Sequence, residues 1–338
     1  MNKPSWKHKL ILLVVSGLPV LALLGIGEFY CRTFTRINFL DNSRGLFAAA
    51  RYGKSYGNTP NFRGISFGEE FHTDESGFRF DPAFRASAAP DAPAILVIGD
   101  SVAFGPAVED SLTITGRLRA ALPAHRFYNA AAIGYDTFDY KNVAGSLVRQ
   151  RPEIETVLLF FCLNDVNDAS AQQIRAQTDT RGDPKGGKRS AVQQVNDFLR
   201  SRSKLYLWLK NVLVDTQLFY FRNDLAYYRM GPENLGAALR PLAELKQQLD
   251  AAGVSLKIFV PPYEAQLRPD GEPLEPQRAL AAFFAAGGID SYDLFHDFRQ
   301  TGAQAHSMFL YGDPMHLSED GHRLVAAAVC RTLPGCRM

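Results

Sequence analysis

Cysteine is scarce. Cys31, Cys162, Cys330 and Cys336 are the four in 338 residues, and none belongs to a C-x-x-C pair or a Cys/His cluster with zinc-ligand spacing. This argues against a structural metal site, and nothing in the chain calls for another cofactor. An excess of one charge is also missing. Lys plus Arg number 37 against 35 Asp plus Glu, a formal net charge of +2, so no global basic field points to nucleic acid. No internal repeat and no long low-complexity tract is present. Charged residues make up 21% and hydrophobic residues 46%, which excludes a disordered chain and suits one large or two modest globular domains. Cys330 and Cys336 flank a Leu333-Pro334-Gly335 turn. They either close a small disulfide loop, which needs an oxidising compartment, or stand as two thiols.

One long apolar run is present. Residues 10 to 27, LILLVVSGLPVLALLGIG, carry no charge and follow Lys3, Lys7 and Lys9. With Phe29 and Tyr30 at the interface, residues 10 to 30 approach the roughly 20 residues that a bilayer-spanning helix needs. They read as a single-pass anchor, with residues 1 to 9 cytoplasmic and the following domain extracytoplasmic (periplasmic). Arg32, Arg36 and Arg44 nearly cancel the lysines before the span, so the orientation rests on the short basic N-terminus preceding a long domain. The alternative is a cleaved signal peptide ending at Gly25-x-Gly27. Glu28-Phe29-Tyr30 continue such a site poorly, and they are the wrong residues for a lipobox before Cys31.

Residues 31 to 93 read as a juxtamembrane extension and linker, rich in Gly, Phe and Arg, with strand-like pieces at 65 to 72 and 77 to 80. Gly53-Lys54-Ser55-Tyr56-Gly57 matches the G-x-S-x-G nucleophile elbow formally. That elbow needs a buried strand before it and a helix after it, whereas an alanine-rich run precedes and Asn58-Thr59-Pro60 follows, so Ser55 is set aside. The run ASAAPDAP at 86 to 93 marks the domain boundary.

From 94 to 338 short apolar runs alternate with helical periods. Strands are expected at 94 to 98, 126 to 130, 156 to 161, 254 to 260 and 289 to 294, with helices near 111 to 121, 137 to 150, 235 to 252 and 276 to 286. Such β-α repetition predicts a parallel sheet covered on both faces, with its ligand site at the carboxyl ends of the strands. Residues 169 to 234 interrupt the rhythm. A polar loop, 181 to 188, precedes a helix-like stretch, 192 to 229, dense in Tyr206, Trp208, Phe219, Tyr220, Phe221, Tyr227 and Tyr228. Its position after a motif-bearing strand predicts a helical lid, offering a sugar-stacking or membrane-facing surface; the alternative is a helical pair filling core.

The polar motifs follow these strands. Ile95-Leu96-Val97-Ile98 runs into Gly99-Asp100-Ser101, a buried strand ending in a tight turn with Ser101 at its lip as the candidate nucleophile. A serine hydroxyl needs a neighbouring base and donors for an oxyanion. Asp313-Pro314-Met315-His316 supplies a base with its orienter, since the Asp313 carboxylate can accept the His316 Nδ1 proton within one turn and leave Nε2 for the serine. Ser318 is a candidate N-cap for the final helix. Gly134 after the second strand and Asn164, in Cys162-Leu163-Asn164-Asp165 after the third, are candidate oxyanion donors.

On the ordered blocks Gly99-Asp100-Ser101, Gly134, Asn164-Asp165 and Asp313-Pro314-Met315-His316, the chain resembles the SGNH, or GDSL-type, serine hydrolase superfamily, as a membrane-anchored bacterial-type member. The resemblance covers about residues 94 to 332 and implies a flavodoxin-like three-layer α/β/α sandwich. It also implies Ser101 as nucleophile, His316 as general base then acid, Asp313 as orienter, and an oxyanion hole of the Ser101 and Gly134 N–H groups with the Asn164 amide. Val102 stands where the family name has leucine, and Cys162 where glycine is frequent, which bears on pocket size more than on mechanism.

The expected activity is therefore a serine esterase removing an O-acyl group, most plausibly acetyl, from an acylated envelope saccharide or lipid. An O-acyltransferase would use the same residues, with a sugar hydroxyl replacing water. A rival from another class is a non-catalytic envelope glycan-binding or assembly protein. Phosphodiester chemistry is disfavoured, because neither a metal constellation nor a phosphate loop accompanies the serine.

Overall fold

The computed structural model of the protein describes residues 6–40, 42–84, 88–167 and 190–338. A helix, Trp6–Phe34, opens the chain and continues beyond the expected span. Among the described residues its Val15–Phe34 portion is the one segment long and apolar enough to cross a membrane. Two antiparallel hairpins follow, β1 (Phe47–Tyr52) with β2 (Ser55–Asn58), and β3 (Arg63–Ser66) with β4 (Glu69–His72).

The central sheet contains β5 (Ala94–Gly99), β6 (Arg126–Asn129), β7 (Ile154–Phe160), β8 (Ser255–Val260) and β9 (Asp290–Asp293), ordered β6-β5-β7-β8-β9 with every pairing parallel. Counting these strands along the chain gives 2-1-3-4-5, the flavodoxin-like order, and the fold is an α/β sandwich. Every residue of β5 is buried, as a central parallel strand covered on both faces requires. The intervening helices Ile114–Ala121, Thr137–Gln150, Pro232–Ala251 and Glu275–Ala286 cover the sheet. The register places Phe160 opposite Phe259 and Phe259 opposite Tyr292, and their rings stack across β7, β8 and β9 at 5.6 and 5.0 Å. The strand-order reversal lies between β5 and β7, so their carboxyl ends open a crevice.

Three expectations are adjusted. Residues 65 to 72 are not one strand: Phe67 and Gly68, both with positive φ, turn the chain back between β3 and β4. Residues 77 to 80 form no strand; Arg79 makes isolated bridges to Thr73 and Asn129. The stretch from 192 to 229 is three helices, Ala191–Arg200, Lys204–Leu213 and Thr216–Tyr228, the latter two N-capped by Ser203 and Asp215. Its aromatics divide, with Phe221 and Tyr228 in the core and Phe219 and Tyr220 exposed. The polar loop at 181 to 188 lies outside the described residues. Ser55 sits buried in β2 and accepts a hydrogen bond from Asn142, in a hairpin rather than a strand-turn-helix.

The extension packs on the sandwich. Tyr56 Oη donates to the Ile133 carbonyl, and Asn58 Nδ2 to that of Ala131. Cys330 and Cys336 are joined by a disulfide; Cys31 and Cys162 are buried thiols.

Candidate active site

Ser101 begins a one-turn helix, Ser101–Phe104, at the carboxyl end of β5. Asp100 caps it, accepting the Val102 N–H at 2.8 Å, while Ser101 Oγ lies 3.2 Å from the same carboxylate. Gly99 is required by space: a Cβ there would sit 2.6 Å from the Ala103 Cβ and 2.7 Å from the Phe160 carbonyl. This close approach lets the chain turn at the strand end.

Asp313 and His316 occupy the loop before the final helix, Glu319–Cys330, whose N-cap is Ser318. His316 Nε2 lies 2.8 Å from Ser101 Oγ, and Nδ1 lies 2.7 Å from Asp313 Oδ2. Asp313 Oδ1 accepts the Met315 and His316 N–H groups at 3.0 and 2.8 Å, so the carboxylate is held from both sides. The structure thus brings Ser101 against the Asp313–His316 pair, over two hundred residues further along the sequence. Gly134, in the turn after β6 with φ 81°, and Asn164, in the Leu163–Val166 turn after β7, line the same cleft. Among the described residues the Asn164 side-chain oxygen is buried without a hydrogen-bond partner.

Burial by itself pulls the His316 pKa down. The Asp313 carboxylate, through charge and hydrogen bond, outweighs that with help from Asp100, and the net shift is upward. For Asp313, burial pushes up, but the His316 charge and its hydrogen-bond donors hold it below the usual carboxylate value. Asp100 is pushed up to about 6 by burial, against the Val102 N–H and the His316 charge. A neutral imidazole in this arrangement can take the Ser101 proton, and the imidazolium so formed faces an ionised Asp313.

Two neighbours, Phe67 and Arg79, carried no recognisable sequence signal. The Phe67 ring meets His316 edge-on at 5.3 Å, carried there by the β3–β4 turn of the extension. Buried Arg79, also from the extension, binds Asp110 at 2.6 Å and donates to the carbonyls of Phe104, Gly105 and Val108, fixing the chain that follows the serine. Asp165 accepts the Cys162 N–H and the Tyr140 hydroxyl, bracing the Asn164 turn. The cleft is 590 Å³, within the range of small-molecule sites, and the insertion contributes Arg200, Lys210 and Tyr220 to its wall. Among the described residues no group of three or more His, Cys, Asp or Glu side chains is arranged to hold a metal ion.

No family model and no curated protein matches the chain. Solved structures similar to it include an acetylxylan esterase from Geobacillus stearothermophilus (14% identity, TM-score 0.45, covering 75% of this chain and 99% of that one). Another is a member of the lipolytic protein G-D-S-L family from Veillonella parvula (14% identity, TM-score 0.42, covering 72% and 98%). A third is the lipase/acylhydrolase from Enterococcus faecalis (15% identity, TM-score 0.40, covering 71% and 94%).

Proposed function

We propose that the chain is a membrane-anchored serine esterase of the SGNH type, with Ser101 as nucleophile, His316 as general base then acid, and Asp313 as orienter. The observation that carries this reading is the continuous contact from Asp313 through His316 to Ser101 inside the cleft, at 2.7 and 2.8 Å. Neutral His316 removes the Ser101 proton as Oγ bonds to the acyl carbon. The Ser101 and Gly134 N–H groups and the Asn164 amide stabilise the oxyanion, and His316 passes its proton to the departing alkoxide. Water then attacks the acyl-serine with His316 taking its proton; the carboxylic acid leaves and Ser101 is restored. A sugar hydroxyl in place of that water gives the acyltransferase outcome.

The substrate we infer is an O-acetylated envelope saccharide or lipid outside the cytoplasmic membrane. Its support is the apolar helix and what that helix touches. Glu28, near its end, accepts the Lys204 and Leu205 N–H groups and the Ser203 hydroxyl, joining it to the insertion. Leu209, Val212, Leu213 and Phe219 of the insertion are exposed, an apolar surface suited to the plane of a bilayer beside the anchor.

Labelling with an organophosphonate probe tests the chemistry. The wild-type chain is expected to be modified at Ser101, and Ser101→Ala or His316→Ala to abolish modification. Absence of labelling in the folded wild type would refute the esterase reading. Products formed from an activated acetyl ester, with and without an added saccharide, separate hydrolysis from transfer.

A further inference from the structure

We propose that the cleft carries an anion subsite formed by Arg200 and Lys210, and that the ester substrate bears a carboxylate or phosphate near its acyl group. The substrate half of this rests on the esterase reading above. Arg200 closes the helix Ala191–Arg200 and Lys210 lies within Lys204–Leu213, and both residues line the cleft that holds Ser101 and His316. The Arg200 Nε is buried and has no hydrogen-bond partner among the described residues, a costly arrangement for a guanidinium unless something else fills its donor site.

The cleft's carboxylates are committed elsewhere. Asp313 holds His316, Asp224 accepts the Tyr263 hydroxyl, and Asp100 caps the helix at Ser101. Asp197, a turn before Arg200, is the acidic group whose charge reaches Lys210. Burial lowers the Lys210 pKa and the Arg200 charge pushes it the same way, so the two cations stand near enough to repel. Two neighbouring cations partly withdrawn from water in a wall of the catalytic cleft are stabilised by a compact oxyanion between them. A guanidinium with a free donor beside an ammonium is suited to a carboxylate or a phosphate alike. Neither residue belongs to the blocks that mark the hydrolase core; both come from the insertion.

The test compares kcat/KM of the full chain in detergent for a neutral ester, 4-nitrophenyl acetate, with that for an acetylated methyl glucuronide and an acetylated glycerol phosphate. Wild type is expected to favour an anionic ester, and which of the two it favours names the source of the anion. Arg200→Gln and Lys210→Gln should each cut the anionic-to-neutral ratio about tenfold, while Lys210→Arg retains most of it. The preference should also weaken as salt is raised. Binding is read separately by calorimetry on Ser101→Ala protein with methyl glucuronide and glycerol 3-phosphate, each with and without Lys210→Gln. If no ester turns over but an anion binds and Lys210→Gln weakens it, the esterase reading falls and the subsite stands. If the ratio is the same in wild type and both glutamine variants and Lys210→Gln leaves anion binding unchanged, the subsite is refuted.

Discussion

Replacing Asp313 by Asn is the most informative perturbation of the site, because the structure dictates which way the amide must face. Oδ1 of Asp313 accepts two backbone N–H groups, from Met315 and His316, at 3.0 and 2.8 Å. In Asp313→Asn the amide oxygen must keep that position, since an NH2 group there would confront two donors. The amide nitrogen then replaces Oδ2, 2.7 Å from His316 Nδ1, and donates to it. Nδ1 becomes an acceptor, the ring proton moves to Nε2, and the nitrogen 2.8 Å from Ser101 Oγ can no longer take the serine proton. The expected loss in kcat is on the order of 10⁴, about 5.5 kcal/mol of transition-state stabilisation.

The pH profile supplies a second readout. On the proposed mechanism the active form is neutral His316, so wild-type kcat/KM should fall as pH drops, with a midpoint above the ordinary histidine value of 6.5 because the net shift is upward. With the carboxylate gone, burial, already the largest single influence, is no longer outweighed and draws the imidazole pKa down, so residual activity in Asp313→Asn should lose its acid limb at a lower pH than wild type. Hydrolysis of an activated acetyl ester followed from pH 4 to 9 measures both effects. Activity of Asp313→Asn within tenfold of wild type, or an unmoved acid limb, would refute the tautomer argument.

Arg79→Met should destabilise the chain by about 3–5 kcal/mol, because it removes the guanidinium from buried Asp110, leaving His72 to hold that carboxylate, and releases the carbonyls of Phe104, Gly105 and Val108. Denaturant titration checks this, and a loss under 1 kcal/mol would show that the clamp is not structural. His322 accepts the Ile114 N–H at Nδ1 and is fully buried, which with the nearby Arg79 and Arg117 charges drives its pKa from 6.5 down to about 3. The folded state then binds fewer protons than the unfolded chain over that interval, so His322 costs stability as pH falls from 6.5 toward 3, by up to about 5 kcal/mol. His322→Asn, which keeps an acceptor for Ile114, should flatten the acid dependence of stability measured by thermal melts at several pH values; an unchanged slope would count against the assignment.

The central sheet was legible because its strands are short apolar and aromatic runs, three of them ending at Gly99, Asn129 and Asp293 and β8 stopped by Pro261, and observed strand ends fall within two residues of those expected. The helix expected at 137 to 150 is Thr137–Gln150 with an Asp136 capping box, a local signal that survives folding. The hairpin at Phe67 was not legible. Phenylalanine rarely adopts φ of 51°, and nothing in the local pattern announces a reversal that long-range packing imposes. Arg79 has the same character: a lone arginine in a Phe-rich stretch gives no sign that it will be buried against Asp110.

By itself the sequence determined the chemical types and their order: a serine after a buried strand, a glycine and an asparagine after the next two, and an Asp-x-x-His before the last helix. Those features are local, written in turn chemistry and short spacing. Only the tertiary structure decided that the 2-1-3-4-5 strand order collects them at one crevice, with His316 Nε2 2.8 Å from Ser101 Oγ. It also decided that the extension and the insertion, which carry none of the motifs, build the cleft wall with Phe67, Arg200 and Lys210. Contacts between distant segments depend on how whole surfaces pack, and a linear pattern of residues does not encode them one position at a time.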